Sequence, residues 1–527
     1  MNCKNYGHSF KMKCERISDG KQQAEEMKLA VVFLDGKATR VKTGTLISDI
    51  TGWHKPCGGH GRCGKCKVIA KGEITEVTEA ERVHLTEEEL ALGVRLSCFC
   101  RVLGDCEVRS LNSEGKARIL TDGDLPEFEF NPIFSQYGVA IDIGTTTLAA
   151  RLYDAKGVLL AEASRLNPQS AWGADVISRV EAALGGKDKQ LAFSARRAID
   201  GMITELVRNA MIKAWQIDAA VITGNTVMLS ILTHTSVVEF SHAPFEAKRL
   251  FGETLTAKEL GLECLKCDTR VYIPPCIHAF VGADTTCALL SVGINKSDGT
   301  VMLADIGTNG EMAICNKGKL TVCSTAAGPA FEGVDISMGM RGAVGAIDKV
   351  FVSEGRLKAH TIGDVTPIGI CGSGLIDAVA CMLELDVLDA SGYLEGESFN
   401  IVPTVYINQK DIRMLQLAKS AICAGLLSLI GRESISVDGV ERLYVAGGFG
   451  TYLNKNSAAA IGLLPKALAD VSLAVGNAAL TGAAMLLLNG DFKELCHELS
   501  GKAEVLNLAS DKSFSNYYIS GMSLGEI

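Results

Sequence analysis

The chain has 527 residues, of which 47% are hydrophobic and 21% are charged, and its formal net charge is −9. This length suffices for three or four domain-sized units with substantial cores, and the composition excludes a largely disordered protein. No basic block is long enough to indicate a nucleic-acid surface.

Residues 1–27 show neither a targeting pattern nor a domain pattern, so we expect a disordered tail there, with Met27 as a plausible alternative start. The first residues contain no apolar signal segment, and the chain carries eighteen cysteines. Many thiols without a secretory signal favour a reducing compartment. We therefore predict a cytoplasmic protein in an anaerobic setting, with no membrane association.

Residues 28–110 are predicted to form a ferredoxin-like β-grasp domain with an iron–sulfur site. Cys57, Cys63 and Cys66 lie on one glycine-rich loop, CGGHGRCGKC, and 31 residues separate Cys66 from Cys98. Three thiolates on a compact loop and a fourth on a distant strand are typical of [2Fe–2S] ligation, and the glycines permit positive φ angles close to a cluster. A zinc ribbon would usually show two CxxC pairs, and this segment has one.

The fourth ligand has three candidates in the segment RLSCFCRVLGDC, namely Cys98, Cys100 and Cys106. We choose Cys98 because RLSC resembles the RLAC segment that carries the last ligand in ferredoxin domains.

Residues 111–136 are polar, end in PEFEFNPIF, and are predicted to be a partly packed linker. Two similar segments then follow, GVAIDIGTTTLAARLYD around Asp142 and VMLADIGTNGEMAIC around Asp305. Each combines an apolar strand, an Asp-Ile-Gly-Thr turn and a second strand. The repetition predicts a duplicated α/β unit with one half at 137–270 and the other at 271–527.

The residue types of these two turns suit a nucleotide triphosphate. The glycines allow backbone N–H groups to approach phosphate, the hydroxyls add donors, and an aspartate at a strand end can hold a Mg²⁺-bound water. We predict that Asp142 and Asp305 hold the metal waters, and that the phosphates are cradled by Gly144, Thr145, Thr146, Gly307, Thr308 and Asn309.

Three further segments support this prediction, namely ITGNT, ICGSGLIDAV with Gly372 and Ser373, and RLYVAGGFG with Gly447 and Gly448. Each places glycine at the end of a strand or the start of a helix, and the double glycine suits adenosine stacked on bare backbone. In this order the segments resemble the acetate and sugar kinase, heat-shock protein 70 and actin superfamily. That resemblance implies ribonuclease H-like α/β halves with the nucleotide in the cleft between them.

A narrower resemblance rests on NPQSAWGADVISRV, GNTVM, VGAD, STAAGPAFEG, QKDIRMLQLAKSAI and VGNAALTGA. Together these segments resemble the reductive activators of corrinoid proteins, in which a [2Fe–2S] domain precedes a kinase-like ATPase. The resemblance implies an ATP-hydrolysing, Mg²⁺-dependent reductase that passes an electron through the cluster and restores Co(I) from inactive Co(II) in a corrinoid protein of a methyltransferase system. It also implies a low-potential donor such as ferredoxin or flavodoxin, and we expect a homodimer.

Two alternatives from other functional classes stay open. One is a small-molecule kinase with an appended redox sensor, which would yield a substrate-dependent phosphoryl product. The other is an electron-carrying adaptor whose nucleotide site only switches partner binding, which would show no steady ATPase rate.

The remaining candidates have ordinary explanations. Val471–Gly490 contains no charge but is expected to form a helix buried in a globular domain rather than a membrane span. Cys264 and Cys267 form a single CxxC pair, which we interpret as exposed reduced thiols. We interpret the histidines His278 and His360 as packing or surface residues. Asp284 and Glu332 are acidic residues that could either orient water or Mg²⁺ or accept a structural hydrogen bond.

Overall fold

The computed structural model describes residues 29–34, 37–51, 61, 64, 66–110 and 125–526. The predicted tail at 1–27, much of the linker, and the predicted ligands Cys57 and Cys63 lie outside the described residues.

The N-terminal domain is built on one sheet. Its elements in chain order are β1 Leu29–Leu34, β2 Lys37–Lys42, α1 Ile47–Thr51, β3 Lys67–Ile74, α2 Glu79–Arg82, α3 Glu87–Ala91, β4 Val94–Leu96 and β5 Val102–Ser110. The strand order is β2-β1-β5-β3-β4, with β1 and β5 parallel and the other pairs antiparallel. Alternate residues of β1, Ala30 and Val32, are buried in the core, as the two-residue period of a half-buried strand requires.

The first kinase-like half contains a six-stranded sheet. Its elements are β6 Tyr137–Ile143, β7 Thr147–Asp154, β8 Leu159–Leu166, α4 Val176–Ala182, α5 Asp188–Asn209, β9 Ile217–Gly224, α6 Thr226–Leu232, β10 Phe251–Thr256, α7 Ala257–Leu260, β11 Arg270–Pro275 and α8 Ala283–Ser291. The order is β10-β11-β9-β6-β7-β8. The sequence placed the end of this half after residue 270, but β11 begins there and pairs with β9, so the sheet continues to Pro275.

The second half repeats this plan. Its strands are β12 Thr300–Ile306, β13 Gly310–Asn316, β14 Lys319–Thr325, β15 Ala346–Ser353, β16 Arg356–Thr361, β17 Gly369–Ile370, β18 Ser398–Val402, β19 Val405–Asn408, β20 Arg442–Ala446, β21 Ser472–Ala474 and β22 Glu504–Val505. Its helices are α9 Gly372–Glu384, α10 Gln409–Arg432, α11 Gly447–Thr451, α12 Lys455–Ala460, α13 Lys466–Asp470, α14 Ala478–Leu488, α15 Phe492–Lys502 and α16 Lys512–Ser520. The main sheet has the order β21-β20-β12-β13-β14-β22.

The duplication predicted from the repeated turn is visible in the strand order. In each half an antiparallel meander of three strands is followed by a strand that pairs in parallel with the first, which is β9 beside β6 and β20 beside β12. The central strands β6 and β12 are buried over most of their length because helices cover both faces of the sheets. The duplicated α/β fold class is confirmed.

Helix α14 joins the two halves. It follows β21 of the second sheet, yet it packs against β6 and β9 of the first sheet and against α8. Every residue of α14 is buried. The uncharged stretch Val471–Gly490 therefore contains a core helix, as the sequence predicted.

Another long apolar helix needs the same explanation. Within the described part of the chain, α10 is the helix long and apolar enough to cross a membrane by length and composition, and 78% of its most apolar window is buried inside the protein. It packs against α16 and against β13 and β14. Such burial is typical of the central helix of a folded domain.

Candidate functional site

The two Asp-Ile-Gly-Thr turns have matching geometry. Asp142 is the second-last residue of β6 and faces Ala149 on β7, and Asp305 is the second-last residue of β12 and faces Glu311 on β13. Each turn therefore carries its aspartate at the same point of an antiparallel hairpin. The equivalent strand ends open onto the same space between the halves.

That space is a cavity of about 290 Å³. All the residues that the sequence predicted for the nucleotide site line it: Asp142, Gly144, Thr145, Thr146, Asp305, Gly307, Thr308, Asn309, Gly372, Ser373, Gly447 and Gly448. The structure thus brings together segments that are spread over more than half of the chain.

Four carboxylates crowd the floor of this cavity. Burial, together with the charge of Asp284, raises the pKa of Asp142 to about 8 and that of Asp305 to about 7. Burial also raises the pKa of Asp284 to about 6 and that of Glu311 well above its usual range. A bound cation would favour the ionised form of carboxylates crowded in this way, and carboxylate oxygens are ligands that suit Mg²⁺.

Asparagines fix the first hairpin from neighbouring elements. Asn225 caps α6 by accepting from Met228 N and donates its side-chain N–H to Thr145 Oγ1 at 3.1 Å. Asn477 caps α14 and donates to Asp142 Oδ2, also at 3.1 Å. The position of each helix is thereby coupled to the turn.

Two buried side chains hold the same turn from outside the cavity. Asn167 donates to the carbonyl of Gly144 at 2.8 Å, and Arg179 Nη2 donates to the carbonyl of Thr145 at 2.5 Å. Both belong to the NPQSAWGADVISRV segment, whose role the sequence did not reveal. The available sequence signal was the presence of polar residues in a segment that otherwise packs in the core, since buried polar groups need hydrogen-bond partners.

Glycine is required by geometry at two positions in the cavity. Gly447 has φ of +91°, and a Cβ atom there would lie 2.9 Å from Asp305 Oδ1. At Gly372, the first residue of α9, a Cβ atom would lie 2.0 Å from the Phe331 carbonyl oxygen. Gly448 has open space around it, which leaves its backbone accessible to a ligand.

Glu332 connects the two halves across the cavity. Its carboxylate accepts a hydrogen bond from Thr146 Oγ1 at 2.5 Å and another from Thr308 Oγ1 at 2.6 Å. These threonines belong to the first and the second turn. The sequence left the role of Glu332 open, and the structure gives it a bridging contact.

The described cysteines of the N-terminal domain separate into two small cores, with the predicted ligands Cys66 and Cys98 in one and the other two candidates in the second. Cys66 and Cys98 are buried with their sulfurs 3.2 Å apart and not joined by a disulfide. Cys100 and Cys106 lie in the other core, between the sheet and α1, and burial raises the pKa of Cys100 to about 11. Convergence of two thiols from the loop and from the segment after β4 fits metal–sulfur ligation, and it favours Cys98 over its neighbours.

Glycines of the predicted ligand loop adopt the conformation expected for them. Gly61 and Gly64 have φ of +69° and +64°. A Cβ atom at Gly61 would lie 2.2 Å from the Phe99 ring. The loop backbone therefore lies directly against the residue that follows Cys98.

A buried ion pair anchors the segment that carries Cys98. Arg95 donates to Glu81 through Nε at 2.9 Å and Nη2 at 2.8 Å, and its guanidinium also binds the Thr75 and Glu76 carbonyls. Glu81 in addition accepts from Leu96 N. A buried pair with all its hydrogen bonds satisfied holds β4 in one place, and the sequence did not identify it.

The remaining candidates behave differently from one another. Of the two thiols expected to be exposed, Cys267 is exposed, but Cys264 is half-buried because it packs against the core of the first half, and burial raises its pKa far above the usual range. His360 contacts Asp348, a residue of the cavity wall, with Nδ1 and Oδ1 2.5 Å apart. No group of three or more His, Cys, Asp or Glu side chains with metal-binding geometry occurs among the described residues.

Comparisons with known proteins agree with this arrangement. Residues 299–526 match the family described as the C-terminal domain of RACo, the ASKHA domain, and residues 137–297 match the RACo middle region. The chain is 33% identical over 421 residues to the corrinoid activation enzyme RamQ of Eubacterium limosum, covering 74% of this chain and 70% of that protein. It is 25% identical to a [Co(II) methylated amine-specific corrinoid protein] reductase of Methanosarcina barkeri, covering 73% and 77%.

A solved structure and a shorter match agree with these relatives. The fold superposes on a reductive activator for corrinoid,iron-sulfur protein with a TM-score of 0.70 and 27% identity, covering 94% of this chain and 98% of that one. A stretch of 52 residues is 36% identical to part of a Na⁺-translocating NADH-quinone reductase of Neisseria meningitidis, covering 10% of this chain and 13% of that protein. The chain belongs to the family of reductive activators of corrinoid proteins.

Proposed function

We propose that this protein uses ATP to drive the reduction of a corrinoid protein from the Co(II) to the Co(I) state, with the electron passing through a [2Fe–2S] cluster in the N-terminal domain. The observation that carries the proposal is the cavity in which two equivalent aspartate hairpins face each other, on the same chain as the convergent Cys66 and Cys98. Family membership assigns both features to one activity.

The cavity residues suit MgATP. Asp142 and Asp305 would hold the waters of a Mg²⁺ ion, and the N–H and O–H groups of both turns would bind the phosphates. The adenosine would lie beside Gly447 and Gly448, where Phe449 stacks on Phe331 with ring centroids 4.7 Å apart. Bound ATP supplies the free energy of phosphoryl transfer, which depends on positioning and charge neutralisation.

The N-terminal domain suits a cluster held by Cys57, Cys63, Cys66 and Cys98. A [2Fe–2S] cluster supplies one-electron transfer, at roughly −400 mV in plant-type ferredoxins. For one electron, each 59 mV of uphill transfer costs roughly 1.4 kcal/mol, a cost within reach of a nucleotide-driven conformational change. This explains why both sites share a chain.

The redox partners follow from the proposed reaction. The relatives are named for corrinoid activation, for a methylated amine-specific corrinoid protein and for a corrinoid,iron-sulfur protein. The partner of this chain is accordingly a corrinoid protein in the Co(II) state. A cytoplasmic low-potential donor such as ferredoxin or flavodoxin would supply the electron, and we expect a homodimer.

The test follows the absorption band of Co(I) after a Co(II) corrinoid protein is mixed with this protein and a low-potential donor, with and without ATP. Wild type should form Co(I) only with ATP. Asp305→Asn should keep the cluster spectrum but lose the ATP response, whereas Cys98→Ala should bind ATP but transfer no electron. The exposed Asp438 provides a matched control, Asp438→Asn, which should behave as wild type.

Equal reduction by wild type with and without ATP would contradict the proposed coupling. The adaptor alternative would then explain the site better. A phosphorylated small-molecule product would instead favour the kinase with a redox sensor.

A further inference from the structure

The charges on the cavity wall are strongly unbalanced. Among the described residues that line the cavity, one side chain is cationic, Arg341. The acidic residues of the wall are Asp142, Asp284, Asp305, Glu311, Glu332 and Asp348. A polyphosphate could not enter such a site without cations, and a divalent ion on the carboxylates neutralises only part of its charge.

Arg341 differs from Arg179 and Arg95 in its contacts. Within the described part of the chain, no hydrogen bond or ion pair engages it, although Arg179 and Arg95 are fully engaged elsewhere in the molecule. Burial lowers the pKa of Arg341 from the ordinary arginine value. Arginine nevertheless remains protonated in proteins, so the cavity wall carries a half-buried cation that an incoming anion would stabilise.

The loop that carries Arg341 is held in place. Met340 N donates to the Ile370 carbonyl and Ile370 N donates to the Met338 carbonyl, each at 2.9 Å. Gly333 has φ of +73°, and a Cβ atom there would lie 2.4 Å from the Met340 carbonyl oxygen. The arginine is therefore presented from a closely folded loop, which reduces the entropy lost when a ligand binds.

Arg341 lines the same cavity as both turns and as Glu332. The charge of Glu332, which bridges Thr146 and Thr308, acts on its pKa. The adenosine residues Gly447 and Gly448 belong to the second half, whereas Thr146 belongs to the first. A phosphate chain that starts at the adenosine and extends toward Thr146 would place its last phosphate near this bridge.

We infer that Arg341 binds the terminal phosphate of the nucleoside triphosphate and so distinguishes ATP from ADP; this role rests on the proposed function of the cavity. A planar guanidinium can donate two parallel hydrogen bonds to one phosphate group. Glu332 acts as a positioning residue that keeps both turns and the arginine around the same phosphate.

Calorimetric titration with ADP, ATP and the non-hydrolysable analogue adenylyl imidodiphosphate, each with Mg²⁺, tests this role without relying on turnover. Arg341→Gln should lower the affinity for ATP and for the analogue by about 10- to 100-fold, as expected for the loss of a charge-assisted hydrogen bond. Its affinity for ADP should stay within about threefold of wild type, because ADP lacks the γ-phosphate that Arg341 binds in this inference. Arg341→Lys should recover part of the ATP affinity because it retains the charge.

The control is Arg356→Gln, which removes an exposed arginine on β16 outside the cavity and should leave all three affinities unchanged. Equal losses for ADP and ATP in Arg341→Gln would overturn the inference, since they would indicate a general structural role. Unchanged ATP affinity would overturn it as well. If wild type bound none of the nucleotides, the proposed function itself would fail. If wild type bound ATP and Arg341→Gln bound it equally well, only the inference about Arg341 would fail.

Discussion

The role of a cysteine in the N-terminal domain depends on which of two adjacent cores its side chain enters. Cys98 points toward Cys66 in a core with Leu85 and Leu96, while Cys100 is buried beside Val32 in the other core. Although Cys98 and Cys100 are only two residues apart, their side chains enter different cores, because the segment leaving β4 turns toward β5. Identical thiols therefore lie in different surroundings, and of the two only Cys98 lies beside another described thiol of the predicted ligand set.

We predict that Cys98→Ala loses the visible absorption of the cluster and most of the bound iron, since one of four thiolates is missing. Cys100→Ala removes one buried sulfur and should lower stability by roughly 1 kcal/mol while the spectrum persists. Both variants are purified anaerobically, and iron content and absorption spectra are compared. Retention of the spectrum by Cys98→Ala but not by Cys100→Ala would show that the ligand is Cys100.

At the scale of elements, α14 serves the core and the site at once. Its eleven residues are buried, and its N-cap residue Asn477 reaches Asp142 in the other half of the molecule. The same side chain also accepts a hydrogen bond from Leu480 N at the start of the helix. Any shift of α14 relative to β6 would therefore change the position of a predicted metal-binding aspartate.

Two substitutions separate these roles of Asn477. Asn477→Ala should lower the free energy of unfolding by about 1 kcal/mol because the cap is lost, and should also weaken MgATP binding. Asn477→Ser retains a capping oxygen but is too short to donate to Asp142, so stability should recover while MgATP binding stays weak. Thermal unfolding and calorimetric titration measure the two effects. Wild-type ATP affinity in both variants would show that the contact with Asp142 is irrelevant to binding.

At the scale of the whole molecule, the cavity exists only when both halves are in place. Asp142 comes from the first sheet and Asp305 from the second, and Glu332 hydrogen bonds to both turns. The residues after Leu125 add a further link, because Asn131 N and Ile133 N donate to carbonyls at the end of α14. A ligand bound to both turns would stabilise the halves together.

We therefore predict that MgATP at one hundred times its dissociation constant stabilises the protein by about 2.7 kcal/mol, which corresponds to a rise of about 3 °C in the melting temperature of the kinase-like halves. In Asp142→Asn, most of this rise in melting temperature should be lost, even though Asp142 lies in the first half and not in the second. Scanning calorimetry should show one shifted transition. Two transitions, of which only one responds to MgATP, would mean that the nucleotide engages a single half.

Much of the site was predictable because its chemistry is encoded in contiguous residues. An apolar strand, an Asp-Ile-Gly-Thr turn and a second strand form a hairpin through local hydrogen bonds, and its repetition identified both Asp142 and Asp305. The cysteine spacing and the glycine-rich segments were equally local. Together with the resemblance they led to the correct family and fold class.

What the sequence alone determined is the list of groups able to bind phosphate, metal and iron, because turn and strand chemistry depends on neighbouring residues. Only the tertiary structure decided which of them meet. The contact between Asn477 and Asp142 spans 335 positions, and that between Thr146 and Glu332 spans 186. Such pairs arise from the packing of sheets and helices. The separation of Cys98 and Cys100 into different cores, the support of the first turn by Arg179, and the lack of a hydrogen bond to Arg341 within the described residues all depend on that packing.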